Sequence, residues 1–351
     1  MKAVEFIKNL SKKDGVVIIF NNDGDGICSC ALLMKYMKSS GLGDPYIINQ
    51  PMPVDKNIIK RIQTSLPNKI IFLDIAIDQQ WDIIKKLGGI SDILVVDHHQ
   101  IHKDLNTHGS QSNTVVHHNP RLKSPKIYQS TTYLMYKLVS EIGNFSDSVW
   151  IAAVGMISDY NLEDSKDVVD EIRKKYSLTE KKLYDTFLGR MADMIASANT
   201  TKAMSCEQIV HSLVKSETPE DFKTPALTEA YKEVQNEMSL LENDFAANSE
   251  KHGNLIFYEI KSKYKLASSL STKVSEKQPK KAVIIYEFRG AKVKVSSRNQ
   301  SMEIDVGRLL GEACKNIKNA SGGGHEAAAG ATVPLANWEE FKEKAIALAN
   351  K

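Results

Sequence analysis

The chain has 351 residues, of which 42% are hydrophobic and 25% are charged, a composition typical of a folded globular protein and not of a disordered or fibrous one. Its longest apolar stretches, such as residues 149–157, are far shorter than the roughly 20 residues that cross a bilayer, so we expect no membrane association. The net charge of +3 is small, but residues 251–351 carry 18 Lys and Arg against 10 Asp and Glu, whereas the rest carries 28 against 33. This asymmetry suits an acidic metal site beside a surface that binds a polyanion.

Two further features bear on the cellular compartment. The first ten residues lack the charged, apolar and small segments of a secretion signal. The four cysteines show neither metal-knuckle spacing nor the spacing of a disulfide framework. Both observations predict a cytoplasmic protein with reduced thiols.

Short apolar runs rich in β-branched residues alternate with helix-compatible segments over the first 160 residues. The predicted strands cover residues 16–20, 69–73 and 93–96, and the predicted helices cover residues 28–38, 56–66 and 79–87. Continuous apolar runs of this length are typical of strands buried on both faces of a parallel sheet. The alternation therefore predicts a doubly wound α/β domain.

The remainder of the chain predicts a helical connector and a smaller α/β domain. Residues from about 168 to 248 are charged and helical in pattern. Later segments predict strands at 255–260, 282–288 and 292–297, a helix at 306–316, a glycine-rich loop and a last helix at 338–349. The predicted division of the chain is 1–185, 186–248 and 249–351.

Acidic side chains follow each predicted strand of the first domain. Because ligands bind beyond the carboxyl ends of the strands in open parallel sheets, these side chains are expected at one rim. A single strand-end aspartate is about as often a helix cap or a turn residue, but that explanation does not suit the whole set. A further pair, His117-His118, is more simply a strand end than additional ligands. The acidic set comprises Asp23, Asp25, Asp74, Asp97-His98-His99 and, after residues 149–157, Asp159.

Carboxylates this close repel one another unless a cation lies among them. Oxygen ligands mixed with imidazole suit Mn²⁺, with Mg²⁺, Zn²⁺ and Fe as alternatives. The candidate ligands are too many for one ion and fit two ions that share a bridging carboxylate. Such ions, roughly 3.5–4 Å apart, activate a water and stabilise both oxygens of a phosphoryl displacement. We therefore predict a two-metal phosphoesterase.

Six segments together form a recognisable series of motifs: Asn22-Asp23-Gly24-Asp25-Gly26, Leu73-Asp74, Asp97-His98-His99, Gly155-Met156-Ile157-Ser158-Asp159, Ser296-Ser297-Arg298-Asn299 and Gly322-Gly323-Gly324-His325-Glu326-Ala327-Ala328-Ala329-Gly330. In this order they resemble the motifs of the DHH phosphoesterase superfamily and of its DHHA1 C-terminal domain. The resemblance covers almost the whole chain and implies a catalytic DHH domain, a DHHA1 substrate-binding domain and an active site in the cleft between them.

The resemblance implies roles for individual residues. It implies that Asp74 bridges two Mn²⁺ ions, with Mg²⁺ or another divalent ion as the alternative. His99 would lie at the scissile phosphate, so that Asp74, His98 and His99 form the catalytic group. The implied metal ligands are Asp23, Asp25, Asp74, His98 and Asp159.

The sequence departs from the family upstream of Asp23. Many relatives have a histidine or an extra aspartate there, whereas this chain has Ile19, Asn21 and Asn22. We expect either weaker binding of one metal ion or an amide oxygen from one of the two asparagines in its place.

A substrate clamp is expected in the last domain. Consecutive glycines adopt backbone angles closed to other residues, which lets neighbouring N–H groups converge on an anion. An arginine grips a phosphate with two parallel hydrogen bonds. The predicted substrate-binding residues are Arg298, Asn299, Gly322, Gly323, Gly324 and His325.

Three functions follow from the resemblance. The first is a RecJ-like exonuclease that degrades single-stranded DNA or RNA to mononucleotides. The second is an enzyme for short substrates: a nanoRNase with phosphoadenosine-phosphatase activity, or a phosphodiesterase of linear or cyclic dinucleotides. The third is a replication scaffold that binds the GINS complex, as archaeal RecJ-like proteins do, with weak or no catalysis. Near-complete retention of the metal ligands favours an enzyme. We also expect that the chain forms a homodimer.

Overall fold

The structure, a computed structural model of the chain, describes residues 2–107, 113–160 and 162–349. It forms two compact units, Met1–Tyr231 and Lys232–Lys351. Within the described residues, each helix is either too short or too polar to cross a membrane. The expected limits of the three segments stay a prediction.

The described residues form eleven strands and thirteen α-helices. The strands are β1 Val16–Phe20, β2 Tyr46–Asn49, β3 Lys69–Leu73, β4 Asp92–Val96, β5 Val115–His118, β6 Glu250–His252, β7 Leu255–Glu259, β8 Ala282–Arg289, β9 Lys292–Arg298, β10 Ser321–Gly324 and β11 Ala328–Pro334. The helices are α1 Lys2–Lys8, α2 Gly24–Ser39, α3 Lys56–Thr64, α4 Trp81–Leu87, α5 Thr131–Ser140, α6 Val149–Ser158, α7 Lys166–Lys175, α8 Phe187–Thr201, α9 Cys206–Lys215, α10 Pro225–Asn248, α11 Ala267–Glu276, α12 Val306–Cys314 and α13 Trp338–Ala349.

The first unit is built on a parallel sheet with strand order β2-β1-β3-β4-β5. Alternate strand residues face two separate cores: Ile18 and Phe20 pack with α2, α5 and α6, whereas Val17 and Ile19 pack with α3 and α4. Burial on both faces explains why these strands are apolar throughout. The strand order reverses between β1 and β3, and the carboxyl ends of strands at such a point form the usual ligand-binding crevice.

The three predicted strands of this sheet are confirmed, and β5 ends in His117-His118, as the sequence indicates. β2 was not predicted, because Ile47 and Ile48 are the only aliphatic residues among its four. The predicted helical segment after α6 is also confirmed, as α7, α8, α9 and α10.

The second unit is a mixed six-stranded sheet with order β10-β11-β9-β8-β7-β6, in which only β7 and β8 pair in parallel. One face packs on α12 and α13, and the other packs on α11 and the part of α10 from Val234 to Phe245. The predicted glycine-rich loop is wrong. Residues 321–324 form β10, an edge strand paired with β11, because backbone pairing can order glycines that have no side-chain pattern.

Candidate metal and phosphate site

Two aspartates follow β1 and β3, the strands between which the sheet order reverses. Asp23 caps α2, since its Oδ1 accepts the Gly26 N–H at 2.9 Å. Asp74, directly after β3, has a φ of 59°, in the left-handed region that residues other than glycine rarely adopt. Such conformations persist where the surrounding structure fixes them, often at functional sites. The fold thus holds two carboxylates at the point where ligand binding is expected.

The side chain of Asn21 connects these two aspartates. Its Nδ2 donates to Asp23 Oδ2 at 2.8 Å and to Asp74 Oδ2 at 3.0 Å. Its Oδ1 accepts the backbone N–H of Asn22 at 2.9 Å. The structure therefore presents the amide nitrogen, and not the amide oxygen, to the carboxylates. In this arrangement Asn21 reduces repulsion between the two aspartates and does not offer a metal ligand.

Asp25 is buried at the N-terminus of α5. Its two carboxylate oxygens accept the backbone N–H groups of Thr131, at 2.8 Å, and Thr132, at 2.7 Å. The hydroxyl of Thr132 donates to the backbone oxygen of Asp25 at 2.8 Å. We did not predict these two threonines, although Ser130, which caps α5, and the apolar run after it form a recognisable helix start.

Burial and mutual repulsion raise the pKa values of three carboxyl groups at this rim. Burial and the charge of Asp23 raise the pKa of Asp25 to about 7. Burial and the charges of Asp25 and Asp23 raise the pKa of Asp159 to about 8. Burial also raises the pKa of Asp74, and the charges of Asp23, Asp25 and Asp97 add to the effect. A cation among them would remove this penalty.

His98 lies in the middle of the cluster. Its Nε2 is 3.3 Å from Asp74 Oδ1 and 3.9 Å from Asp25 Oδ2, and its Nδ1 is 3.6 Å from Asp159 Oδ2. Burial lowers the pKa of His98 to about 4, which keeps the imidazole neutral, the form that binds metals. His98 Nδ1 and Asp159 Oδ2 are buried without a hydrogen-bond partner. Both atoms suit an ion that is their missing partner.

His99 has a different environment from its neighbour. Its Nδ1 is 2.7 Å from Oδ1 of Asp97, which is buried, whereas the His99 side chain is 43% exposed. Burial opposes protonation, but the hydrogen bond to Asp97 and the surrounding carboxylates outweigh it and raise the pKa of His99. That hydrogen bond leaves Nε2 for another partner. Asp97 thus orients His99, a role that we did not predict.

Among the described residues, two groups have donor atoms within 4.8 Å of one another and could each hold a metal ion. One is Asp74, His98 and His99, and the other is Asp25, His98 and Asp159. The structure thus brings together five predicted site residues, with His98 common to both groups. Asp23 lies outside both groups and joins the cluster through Asn21.

In the second unit, the predicted substrate residues at the end of β9 differ in accessibility. Arg298 is the last residue of β9, and its Nε is buried without a hydrogen-bond partner. Asn299 is fully buried, and its Oδ1 accepts the Ser301 hydroxyl at 3.2 Å and the Ile304 N–H at 3.4 Å. This geometry makes Asn299 a structural residue of the following turn. Its contact with substrate stays a prediction.

The three glycines lie in an extended strand and do not form the expected cradle. Successive N–H groups of a strand point in opposite directions, so those of Gly322, Gly323 and Gly324 cannot converge on one anion. His325 and Ala328 exchange backbone hydrogen bonds of 2.8 and 3.2 Å, which closes a hairpin with an exposed His325. Gly324 is required there, since its φ is +151° and a Cβ would lie 2.5 Å from the Ala328 oxygen.

Comparison with family models decides the family. Residues 15–160 match the model described as the DHH family, N-terminal domain, and residues 253–351 match the DHHA1 domain. The chain belongs to the DHH family. Its N-terminal unit therefore has the phosphoesterase fold of that family, and its acidic and histidine groups are candidates for divalent ions. No curated protein matches the sequence.

Solved structures share the fold of this DHH-family chain at low identity. RecJ from Thermus thermophilus, in complex with Mn²⁺, is 17% identical over 99% of this chain and 54% of that chain, with a TM-score of 0.72. This chain thus spans about half the length of that RecJ. CDC45 from Entamoeba histolytica is 11% identical (100% of this chain, 99% of that chain, TM-score 0.59). PggH from Vibrio cholerae, a pGpG-specific phosphodiesterase, is 12% identical (96% and 99%, TM-score 0.51).

Proposed function

We propose that this protein is a metal-dependent phosphodiesterase that removes mononucleotides from single-stranded nucleic acid, as a compact RecJ-like exonuclease. The observation that carries the proposal is a buried, neutral His98 surrounded by three buried or half-buried aspartates. A site of this kind suits phosphoryl chemistry at divalent ions. We propose a cytoplasmic location, with which four free, buried cysteines are compatible.

Five residues would hold the ions: Asp23, Asp25, Asp74, His98 and Asp159. The unpartnered His98 Nδ1 and Asp159 Oδ2 support two of these assignments. We expect two Mn²⁺ ions, with Asp74 bridging them, and Mg²⁺ as the alternative. When bound, such ions supply Lewis-acid stabilisation and lower the pKa of a water. Asn21 keeps Asp23 and Asp74 in place through its two hydrogen bonds.

The chain's own side chains would position the substrate and move a proton. His99 keeps a proton at higher pH than an ordinary histidine, because Asp97 accepts a hydrogen bond from its Nδ1. Its Nε2 would then donate to an oxygen of the scissile phosphate. In the DHHA1 domain, Arg298 and the exposed His325 would bind a substrate phosphate, with Arg298 supplying the unpartnered Nε.

Two alternatives have specific support. The likeness to PggH over nearly the full length of both chains favours a phosphodiesterase of dinucleotides or other short substrates. The likeness to CDC45 favours a replication scaffold that binds a GINS-type complex. The near-complete set of aspartate and histidine ligands argues for hydrolysis over a purely structural role.

A length series of 5′-labelled and 3′-labelled strands tests the proposal. With Mn²⁺, we expect release of mononucleotides from single-stranded DNA or RNA of about 5 to 20 nucleotides, and loss of activity in EDTA. Turnover only below about five nucleotides would replace the exonuclease with the short-substrate enzyme. No turnover with Mn²⁺ or Mg²⁺ would contradict the proposed function, and the scaffold would then be tested by co-purification with a GINS complex.

A further inference from the structure

A second open feature of the first unit adjoins the metal site. It is a groove of about 630 Å³, lined by residues from the segment before α5, the segment after α6, helix α7 and the turn before α8. Tyr128, one of its lining residues, contacts Asp159, with 3.4 Å between its hydroxyl and Asp159 Oδ1. The groove, which we call the tyrosine groove, therefore begins where the metal ligands end.

Aromatic rings form part of the groove wall. Tyr160 and Tyr184 stack with ring centroids 5.4 Å apart and an interplanar angle of 25°. Tyr160 is 73% exposed, which is unusual for a large aromatic residue. Proteins that bind single strands without sequence preference place bases on such rings, since every base has a π-face. The two rings thus offer a stacking surface that begins at the residue directly after Asp159.

The charge of the groove suits a polyanion. Four exposed lysines line it, and none of them pairs with a carboxylate within the described part of the chain: Lys126, Lys166, Lys181 and Lys182. Arg173 donates to the backbone oxygens of residues 180 and 181, at 2.8 and 3.0 Å, and so fixes the turn that carries two of the lysines.

The groove also contains two exposed acidic residues, Glu163 and Asp164, whose charges oppose an anion. The Asp164 carboxylate accepts the Tyr128 N–H at 2.8 Å and thereby shapes the wall. With Arg173, the lining carries five basic side chains against two acidic ones, which favours the phosphates of a nucleic-acid backbone over a cationic or apolar ligand.

We propose that the tyrosine groove binds the part of a single-stranded polynucleotide that lies beyond the nucleotide being removed. A base stacks on Tyr160 and Tyr184, and backbone phosphates contact the lysines. The inference rests on the proposed function, which puts the scissile phosphate at the rim that includes Asp159. It deepens that function, because an enzyme with such a groove acts on strands longer than a dinucleotide.

Binding in EDTA separates this inference from hydrolysis. The full chain is titrated into a labelled DNA or RNA of about 12 nucleotides, and fluorescence anisotropy gives the dissociation constant at several salt concentrations. We expect Lys181→Glu with Lys182→Glu to weaken binding at least about tenfold and to reduce the salt slope by about two. The matched control is Lys85→Glu with Lys86→Glu, two exposed lysines of α4 outside the groove.

A second pair of variants tests the rings. Tyr160→Ala should weaken binding about tenfold, whereas Tyr160→Phe keeps the ring and should bind within about twofold of the unaltered protein. If the lysine or the alanine variant binds either the DNA or the RNA more weakly, the result supports binding in the tyrosine groove, even if the protein hydrolyses neither strand. Unchanged binding of DNA and RNA by both the lysine and the alanine variants would overturn the inference, and hydrolysis of single strands by those variants would leave the proposed function standing.

Discussion

The rim of the first unit and the β10–β11 hairpin of the second unit hold their candidate functional groups in opposite ways. At the rim, side chains are mostly buried and fixed by hydrogen bonds, as Asp25 is by two backbone N–H groups of α5. At the hairpin, His325 is exposed, and β10 has neighbours on one side of the sheet only. The difference indicates that the groups proposed for chemistry are preorganised by the fold, whereas His325, which is proposed to bind substrate, is presented at the surface.

The largest effect is expected at the rim. Asp74→Asn removes a charge from the cluster around His98, and we expect kcat to fall by about 10³-fold or more, because metal-derived stabilisation is worth several kcal/mol. Kinetics with Mn²⁺ measure the loss. Asp170→Asn, an exposed residue of α7, is the control. Retention of more than a tenth of the activity would remove Asp74 from the catalytic group.

His99→Ala should have the next largest effect. It removes the proposed donor to the phosphate while His98 and its three aspartates are retained, so we expect kcat to fall by roughly 10²- to 10³-fold. The bound metal content, measured after dialysis against Mn²⁺, should stay unchanged. If the variant lost its metal instead, His99 would be a ligand, consistent with its position beside Asp74 and His98.

The hairpin and the adjoining end of β9 should respond through binding. Arg298→Ala would remove the charge-assisted hydrogen bond proposed between Arg298 and a substrate phosphate, so KM should rise about tenfold or more with little change in kcat. Arg308→Ala, an exposed arginine of α12, provides the control. A fall in kcat equal to the fall in kcat/KM would place Arg298 among the groups that act in the transition state. It would contradict the proposed assignment of chemistry to the rim and of binding to the second unit.

The smallest effect concerns stability. Unfolded aspartates ionise near pH 4, but Asp25 and Asp159 keep protons in the metal-free folded state up to about 7 and 8. Between about pH 6.5 and 8.5 the folded state therefore binds more protons than the unfolded state, and its stability falls as the pH rises. His98 gives the opposite trend, but only below about 6.5, its unfolded value.

We expect the Tm of the EDTA-treated protein to fall by roughly 5 °C over this pH range, as measured by scanning calorimetry. Mn²⁺ should cancel the fall, because ionised carboxylates then have a cation among them. A Tm that stays level in EDTA would show that the rim carboxylates do not repel one another as strongly as their positions indicate.

The grouping of aspartates and histidines at the candidate metal site could be predicted from the sequence, because the rule that locates it is simple. Strands that are buried on both faces appear in the sequence as continuous apolar runs. Acidic residues that follow such parallel strands lie at the same edge of the sheet. The hydrogen bond between Asp97 and His99 depends on a sharp turn of the backbone between them. The hydrogen bonds of Asp25 to α5 join segments that are far apart in sequence. Such contacts cannot be predicted from the pattern of residue types along the chain.

The glycine strand shows the other limit of prediction. Residues 321–324 have no side chains that alternate between a core and solvent, so their composition indicates a flexible turn. Their conformation follows from pairing with β11 and from close approach to α12, where a Cβ on Gly307 would lie 2.7 Å from the Gly324 oxygen. The same limitation led us to expect an anion cradle where the chain forms an edge strand.

The close contact between Gly24 and Ser158 has a consequence for how this site can change over evolution. A Cβ on Gly24 would lie 2.1 Å from the Ser158 hydroxyl oxygen and 2.5 Å from its Cβ. Gly24 lies between two proposed ligands and Ser158 directly precedes a third, so neither segment can shift without moving a ligand. A larger residue at 24 is therefore compatible with the fold only if 158 becomes glycine. Substitutions at positions 24 and 158 should therefore occur together in related sequences. The segments that carry Asp23, Asp25 and Asp159 are thus constrained jointly.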